Sequence, residues 1–244
     1  MPADLDAVYS EVKNYFDRCA PYYSQIHIYM PFLDKWQFGG LLKEVDTSVA
    51  PSVLDLGTGD GNFLRQIGLA NSACELIGMD LSPKMIEVAR KNLEKESLQA
   101  TFIQGNVEQI TLPDARVHYV VSNGALHHVK DKNALYTEIF RVLKPGGKLF
   151  VTDGFDIMDD VFKQEQEQLK EREPEFWNGF LADHQRCMAF MREEIPEDFA
   201  DHPEEFHISP SALKGLLEQL GFCDIRFKPS PNHIVMYMAS KPND

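Results

Sequence analysis

From Ser52 to Thr152 the chain alternates short apolar runs of strand length with longer segments whose apolar residues recur every three or four positions. Runs of the first kind read as buried strands and segments of the second kind as the helices between them, so repeated βαβ units and a mostly parallel sheet are expected. The strands fall at Ser52–Leu56, Glu75–Met79, Ala100–Gln104, Val117–Ser122 and Lys148–Thr152. Ser82-Pro83 opens a helix with proline at its first position, and Lys144-Pro145-Gly146-Gly147 closes another ahead of the next strand. A helix over Ser209–Leu220 stops at Gly221. Two more strands, Cys223–Lys228 and His233–Ala239, are joined by Pro229-Ser230-Pro231-Asn232, a link short enough to require an antiparallel pair.

The flanks differ in kind. Asp4 to Lys43 is rich in Tyr, Phe and Met, and Asp153 to His207 is helical, acidic and out of step with the βαβ rhythm. With 244 residues and 43% hydrophobic positions, one α/β domain accounts for the whole chain. Its parts are a helical cap (1–43), an alternating core (44–153), a helical insertion (154–207) and a terminal helix with the strand pair (208–244). The formal charge of −14 argues against a nucleic acid partner, because phosphate backbones are held by clustered Lys and Arg. Cys19, Cys74, Cys187 and Cys223 show no paired metal spacing and read as reduced thiols. No window is long and apolar enough to span a bilayer and the first ten residues carry acids, so a soluble cytoplasmic protein and no membrane partner are expected.

The stretch Val53-Leu54-Asp55-Leu56-Gly57-Thr58-Gly59-Asp60-Gly61-Asn62-Phe63 is a strand, a glycine loop and the start of a helix. Glycines there admit positive φ and let a ligand approach the backbone at a helix N-terminus. A dinucleotide site favours G-x-G-x-x-G with a pyrophosphate on the helix. Here the spacing is G-x-G-x-G and Asp60 sits in the loop, a poor neighbour for two phosphates. The second strand runs into Asp80, where one carboxylate can accept from two ribose hydroxyls, a feature common to NAD and S-adenosylmethionine (SAM) sites.

At this point the sequence resembles the class I SAM-dependent methyltransferases: "VLDLGTGDGNF", "GMDLSPKMIEVAR", "FIQGNVEQI", "VVSNGALHHV" and "RVLKPGGKLFVTD" follow in that family's order and spacing. The resemblance implies a Rossmann-like seven-stranded sheet, mostly parallel with an antiparallel C-terminal strand and helices on both faces, and SAM as cofactor. It assigns Asp55, Gly57 and Gly59 to the methionine side, Asp80 to the ribose, Leu81 and Met85 to the adenine face, and Asn106 with the Val107 backbone to the adenine edge, with Thr58 and Asn123 as further cofactor contacts. Asn106 replaces the aspartate often found there; its amide oxygen can still accept from an adenine amine. "YFDRCAPYY" resembles the family's N-terminal element, with Phe16 and Tyr23 at the aromatic positions that fold over the cofactor.

Acceptor contacts are expected beyond the carboxyl ends of the fourth and fifth strands and in the added segments. Ser122-Asn123-Gly124-Ala125-Leu126-His127-His128 lacks the [DN]-P-P-Y sequence that grips planar amines, which lowers an RNA or protein acceptor. His127 is a candidate base, and His128 and Asp153 are candidate acceptor contacts; packing at a helix start is the plainer role for either histidine. No metal is expected, because Asn123 and Gly154 do not complete a ligand set with Asp153. In "PEFWNGFLADHQRCMAFM", Phe176, Phe180, His184, Met188 and Met191 fall on one helical face. Such a stripe is ordinarily core, yet as a lid it makes His184 a second candidate base and Trp177 a candidate acceptor contact. The expected function is methyl transfer to a small molecule by in-line displacement. The rivals are a non-catalytic SAM-binding module and an NAD-dependent oxidoreductase.

Overall fold

Every apolar run of the alternating stretch is a strand in the computed structural model, which describes residues 5–26, 29–155, 160–194, 203–231 and 233–243. Two helices lead the chain, α1 (Leu5–Ile26) and α2 (Pro31–Glu44). The core follows as β1 (Ser52–Leu56), α3 (Asn62–Ala70), β2 (Glu75–Asp80), α4 (Pro83–Lys95), β3 (Thr101–Gln104), β4 (Val117–Asn123), α5 (Lys132–Val142) and β5 (Leu143–Gly154). Then come α6 (Asp160–Arg172), α7 (Pro174–Glu194), α8 (Pro210–Gln219), β6 (Cys223–Pro229) and β7 (Ile234–Ser240).

The seven strands form one sheet in the order β3-β2-β1-β4-β5-β7-β6. The first five run parallel, β7 lies antiparallel against β5, and β6 pairs antiparallel with β7. Strand order reverses between β1 and β4, and a crevice opens beyond their carboxyl ends, where open α/β sheets take ligands. All five residues of β1 are buried because helices cover both faces of the sheet. One set of core residues, including Leu54, Ile139, Leu149 and Leu217, lies on one face, and a second, including Val53, Phe63, Phe150 and Met236, on the other. No described helix is long and apolar enough to cross a membrane.

Two expectations need correction. β5 starts at Leu143, not Lys148, because Leu143 pairs with Val117 before the register shifts and resumes at Tyr119 with Lys148. Gly146, at φ 72°, turns the extra residues outward, and its N–H donates to the Lys241 carbonyl at 3.0 Å. The Lys144–Gly147 stretch is thus a bulged strand start. In α7 the inward face runs through Phe180, Asp183, Cys187 and Phe190, while His184 and Met188 are exposed; the Met191 side chain lies outside the described residues.

Asp183 explains the difference. Helix α2 begins after Met30, which supplies no side-chain cap, so its first N–H groups lack a local acceptor. The Asp183 carboxylate accepts from the Phe32 and Leu33 N–H groups, at 2.5 and 3.0 Å, and is ion-paired with Arg186. A buried acid on α7 therefore caps α2. Capping interactions contribute about 1–2 kcal/mol, so Asp183→Ala is expected to lower the unfolding free energy by that amount, read from the urea midpoint at unchanged slope.

Candidate active site

Gly57, Gly59 and Gly61 all have positive φ, at 64°, 52° and 81°, a conformation that side chains strain. A Cβ at Gly57 would stand 2.2 Å from the Ala125 Cβ, so the loop after β1 and the loop after β4 meet only because residue 57 has no side chain. The Thr58 N–H donates to the Met79 carbonyl at 3.0 Å, tying the loop to β2. Beneath it, the Thr58 hydroxyl donates to Asp55 at 2.8 Å. Burial pushes the Asp55 carboxyl up to about 8; the Thr58 bond opposes the rise, and Asp80 and Asp60 add to it.

Asp80 is held from two sides: the Gly59 N–H donates to one oxygen at 2.8 Å and the Ser82 N–H to the other at 2.9 Å. Burial raises its carboxyl to about 6, and those backbone donors limit the rise. Ser82 also caps α4, accepting from the Met85 N–H at 3.1 Å, and gives its hydroxyl to Asp17 of α1 at 2.5 Å.

These pieces enclose a cleft of about 690 Å³, open solvent included. It is lined by Gly57, Gly59, Asp80, Leu81, Met85, Asn106, Val107 and Asn123, and roofed by Phe16 and Tyr23 of α1. Asp55 and Thr58 do not line it; they support the loop from below. Tyr9, Val12 and Lys13 also line the cleft. With Phe16 they repeat at helical spacing, a signal the N-terminal aromatic motif obscured. Tyr9 donates to Glu108, and the Asn106 amide donates to the same carboxylate at 3.2 Å, so α1 is fastened to the edge near β3.

The turn after β4 divides two spaces. His128 faces the cleft and stacks edge-on against Phe16. His127, with its ring centroid 4.1 Å from that of His128, faces a second, tight space of about 220 Å³ with open solvent included, lined also by Lys132, Tyr136, Asp153, Phe155, Phe206, His207 and Tyr237. His127 Nδ1 lies 2.6 Å from an Asp153 oxygen, and its Nε2 lies 3.9 Å from Glu205. Burial alone would lower the His127 pKa, but the charge and hydrogen bond of Asp153, with the charge of Glu205, outweigh it and hold the ring above the ordinary histidine value. Lys132 braces the turn by donating to the Leu126 and Val129 carbonyls at 2.6 and 2.7 Å; burial brings its amine down to about 8. The Phe206 N–H donates to the His127 carbonyl at 2.7 Å, and Glu205 bonds His207 at 2.6 Å.

Glu205 and His207 had no pattern in the sequence to mark them; they arrive because the chain returns from the insertion across the His127 turn. His184 and Trp177 are not brought here. His184 is exposed on α7, and Trp177 lies under the Lys170 ammonium, 5.7 Å from its ring centre. Neither lines the cleft or the second cavity.

The family described as Methyltransferase domain matches residues 48–204. A demethylmenaquinone methyltransferase from Thermus thermophilus is 23% identical over 85% of this chain and 90% of its own. A ubiquinone/menaquinone biosynthesis C-methyltransferase from Xanthomonas campestris is 30% identical over 75% of this chain and 70% of its own. Among solved structures, a SAM-dependent methyltransferase from Aquifex aeolicus superposes with a TM-score of 0.57 at 17% identity, covering 85% of this chain and 92% of that one, which speaks for the fold. The match across the core, the insertion and the glycine loop places this chain in the methyltransferase domain family, among the class I SAM-dependent methyltransferases.

Proposed function

We propose that the chain holds SAM in the cleft and methylates a small molecule that approaches the turn after β4 from the His127 side. The observation that carries this reading is the single turn shared by both spaces, with His128 on one side and His127 on the other.

The residues fit the cofactor. The glycine loop offers backbone that no Cβ obstructs, and Asp80, oriented by two N–H groups, keeps lone pairs for ribose hydroxyls. Leu81 and Met85 supply an apolar face for a purine, and Asn106 and Val107 stand at its edge. Asp55, Asp60 and Asp80 are all buried around the loop, which suits a cationic ligand and disfavours the pyrophosphate of a nicotinamide dinucleotide. SAM supplies a methyl group already activated on a sulfonium. What the chain must add is alignment and the exclusion of water, effects that reach about 7–11 kcal/mol in well-oriented systems.

At the acceptor, His127 is the candidate base. Donation of its Nδ1 proton to Asp153 fixes the tautomer and leaves the Nε2 lone pair to take a proton. The partly exposed Phe206 beside the turn suits a planar ring that carries a hydroxyl. The names of the two relatives agree with a ring acceptor, and reduced demethylmenaquinone is the first to try.

Three outcomes are expected. Asp80→Asn removes charge-assisted bonds of about 1.5–3 kcal/mol, so S-adenosylhomocysteine should bind about ten- to hundredfold more weakly by calorimetry, while the variant stays folded. The parent protein should pass label from methyl-labelled SAM into a component of a small-molecule extract; SAM binding without any labelled product would leave a non-catalytic module. With an acceptor in hand, single-turnover methyl transfer should rise with pH through a value above 6.5. Asp153→Asn removes the charge that raises the His127 pKa, so that limb should move to lower pH; a limb that stays in place would dismiss His127 as the base.

A further inference from the structure

Gln37 is a polar side chain only 4% exposed, on a helix outside the core motifs. Its Nε2 donates to the Asn123 Oδ1 at 2.8 Å, and the Thr152 hydroxyl donates to the same oxygen at 2.5 Å. An amide oxygen has two lone pairs, and both are taken. In this arrangement the oxygen faces Gln37 and Thr152, and Nδ2 is left for the cleft that Asn123 lines.

The other polar side chains of the cleft are largely given to protein acceptors. Lys13 and Ser82 serve Asp17, and Tyr9 and Asn106 serve Glu108. Asn123 Nδ2 has no acceptor among the described residues. Its position across the sheet identifies what it meets. Asn106 follows β3, Asp80 ends β2, and Asn123 ends β4 beyond the β1 glycine loop. A ligand with its purine at Asn106 and its ribose at Asp80 extends its amino-acid end toward Asn123. That end carries an ammonium, suited to the acids around the loop, and a carboxylate, which needs an N–H donor.

We propose that Gln37 is a positioning residue: with Thr152 it locks the Asn123 amide so that its NH2 group donates to the carboxylate of the cofactor's amino-acid moiety. This rests on the SAM reading of the cleft. Asn123 makes the contact, and Gln37 acts through it from α2. An acceptor oxygen would present similar chemistry to the same NH2, and the two sources separate by ligand binding without turnover.

The experiment compares the affinities of S-adenosylhomocysteine and 5′-methylthioadenosine, which keeps the adenosine but lacks the carboxylate. Asn123→Asp preserves both incoming bonds and so the fold, but turns an acceptor toward the carboxylate. It should weaken S-adenosylhomocysteine about a hundredfold and change methylthioadenosine by less than about twofold. Gln37→Leu should weaken S-adenosylhomocysteine about tenfold, spare methylthioadenosine, and add nothing when Asn123 is already alanine. Equal losses for both ligands would make Gln37 merely structural and overturn the proposal. Unchanged S-adenosylhomocysteine affinity in Asn123→Asp would also overturn it, and would hand the NH2 group to the acceptor. Failure of the parent protein to bind either ligand would instead bring down the SAM reading itself.

Discussion

The missing side chain at position 57 is the constraint on which the site depends. β1 and β4 are neighbours in the sheet, and the loops leaving them converge until a Cβ on residue 57 would overlap the Ala125 Cβ. That approach sets the height of the turn after β4, and the turn in turn carries His128 into the cleft and His127 toward Asp153. Lys132 and the Phe206 N–H then take up the turn's carbonyl groups, so its backbone is fixed from α5 and from the returning insertion. A bulkier residue at 57 would do more than block a ligand. It would separate the two halves of the site.

The charge distribution follows from the same geometry. Asp55 and Asp80 are buried close together, and their carboxyls rise to about 8 and about 6 because ionisation in a poorly solvated place is costly. Fixed N–H groups and the Thr58 hydroxyl offset part of that cost. A cation entering the cleft offsets more, so acids that are unfavourable in isolation become favourable partners. Across the His127 turn the arrangement is reversed. There two carboxylates hold an imidazole in its charged form longer than solvent would, against the burial that favours its neutral form.

What the sequence could disclose was governed by distance along the chain. Strands, glycine loop, Asp80 and the His127–His128 turn are local patterns, set by apolar periodicity and by the few residues that tolerate a given φ, and apart from the start of β5 they stand within a residue or two of their expected places. Gln37, Glu205 and His207 depend on which surface packs against which, and no local pattern carries that. The stripe on α7 shows the limit well. Periodicity marked Phe180 as buried, but it could not tell that the helix also buries a carboxylate, because the reason for burying Asp183 lies in the uncapped start of α2, about 150 residues earlier. The early start of β5 has a similar cause, since Leu143 is drawn into the sheet by Val117 and not by its own neighbours.

The two sides of the cleft are also assembled differently. Apart from the α1 roof and the turn after β4, the cofactor side comes from one unbroken stretch, β1 through the turn after β3. The cavity behind His127 is put together from Tyr136, Asp153, Phe206, His207 and Tyr237, contributed by four separate places in the chain. Inheritance acts on these two constructions in different ways. A contiguous module can persist nearly intact through descent, whereas a scattered wall can be recoloured one position at a time. A lineage built on this plan can therefore change what it methylates by single steps without ever losing its hold on the methyl donor.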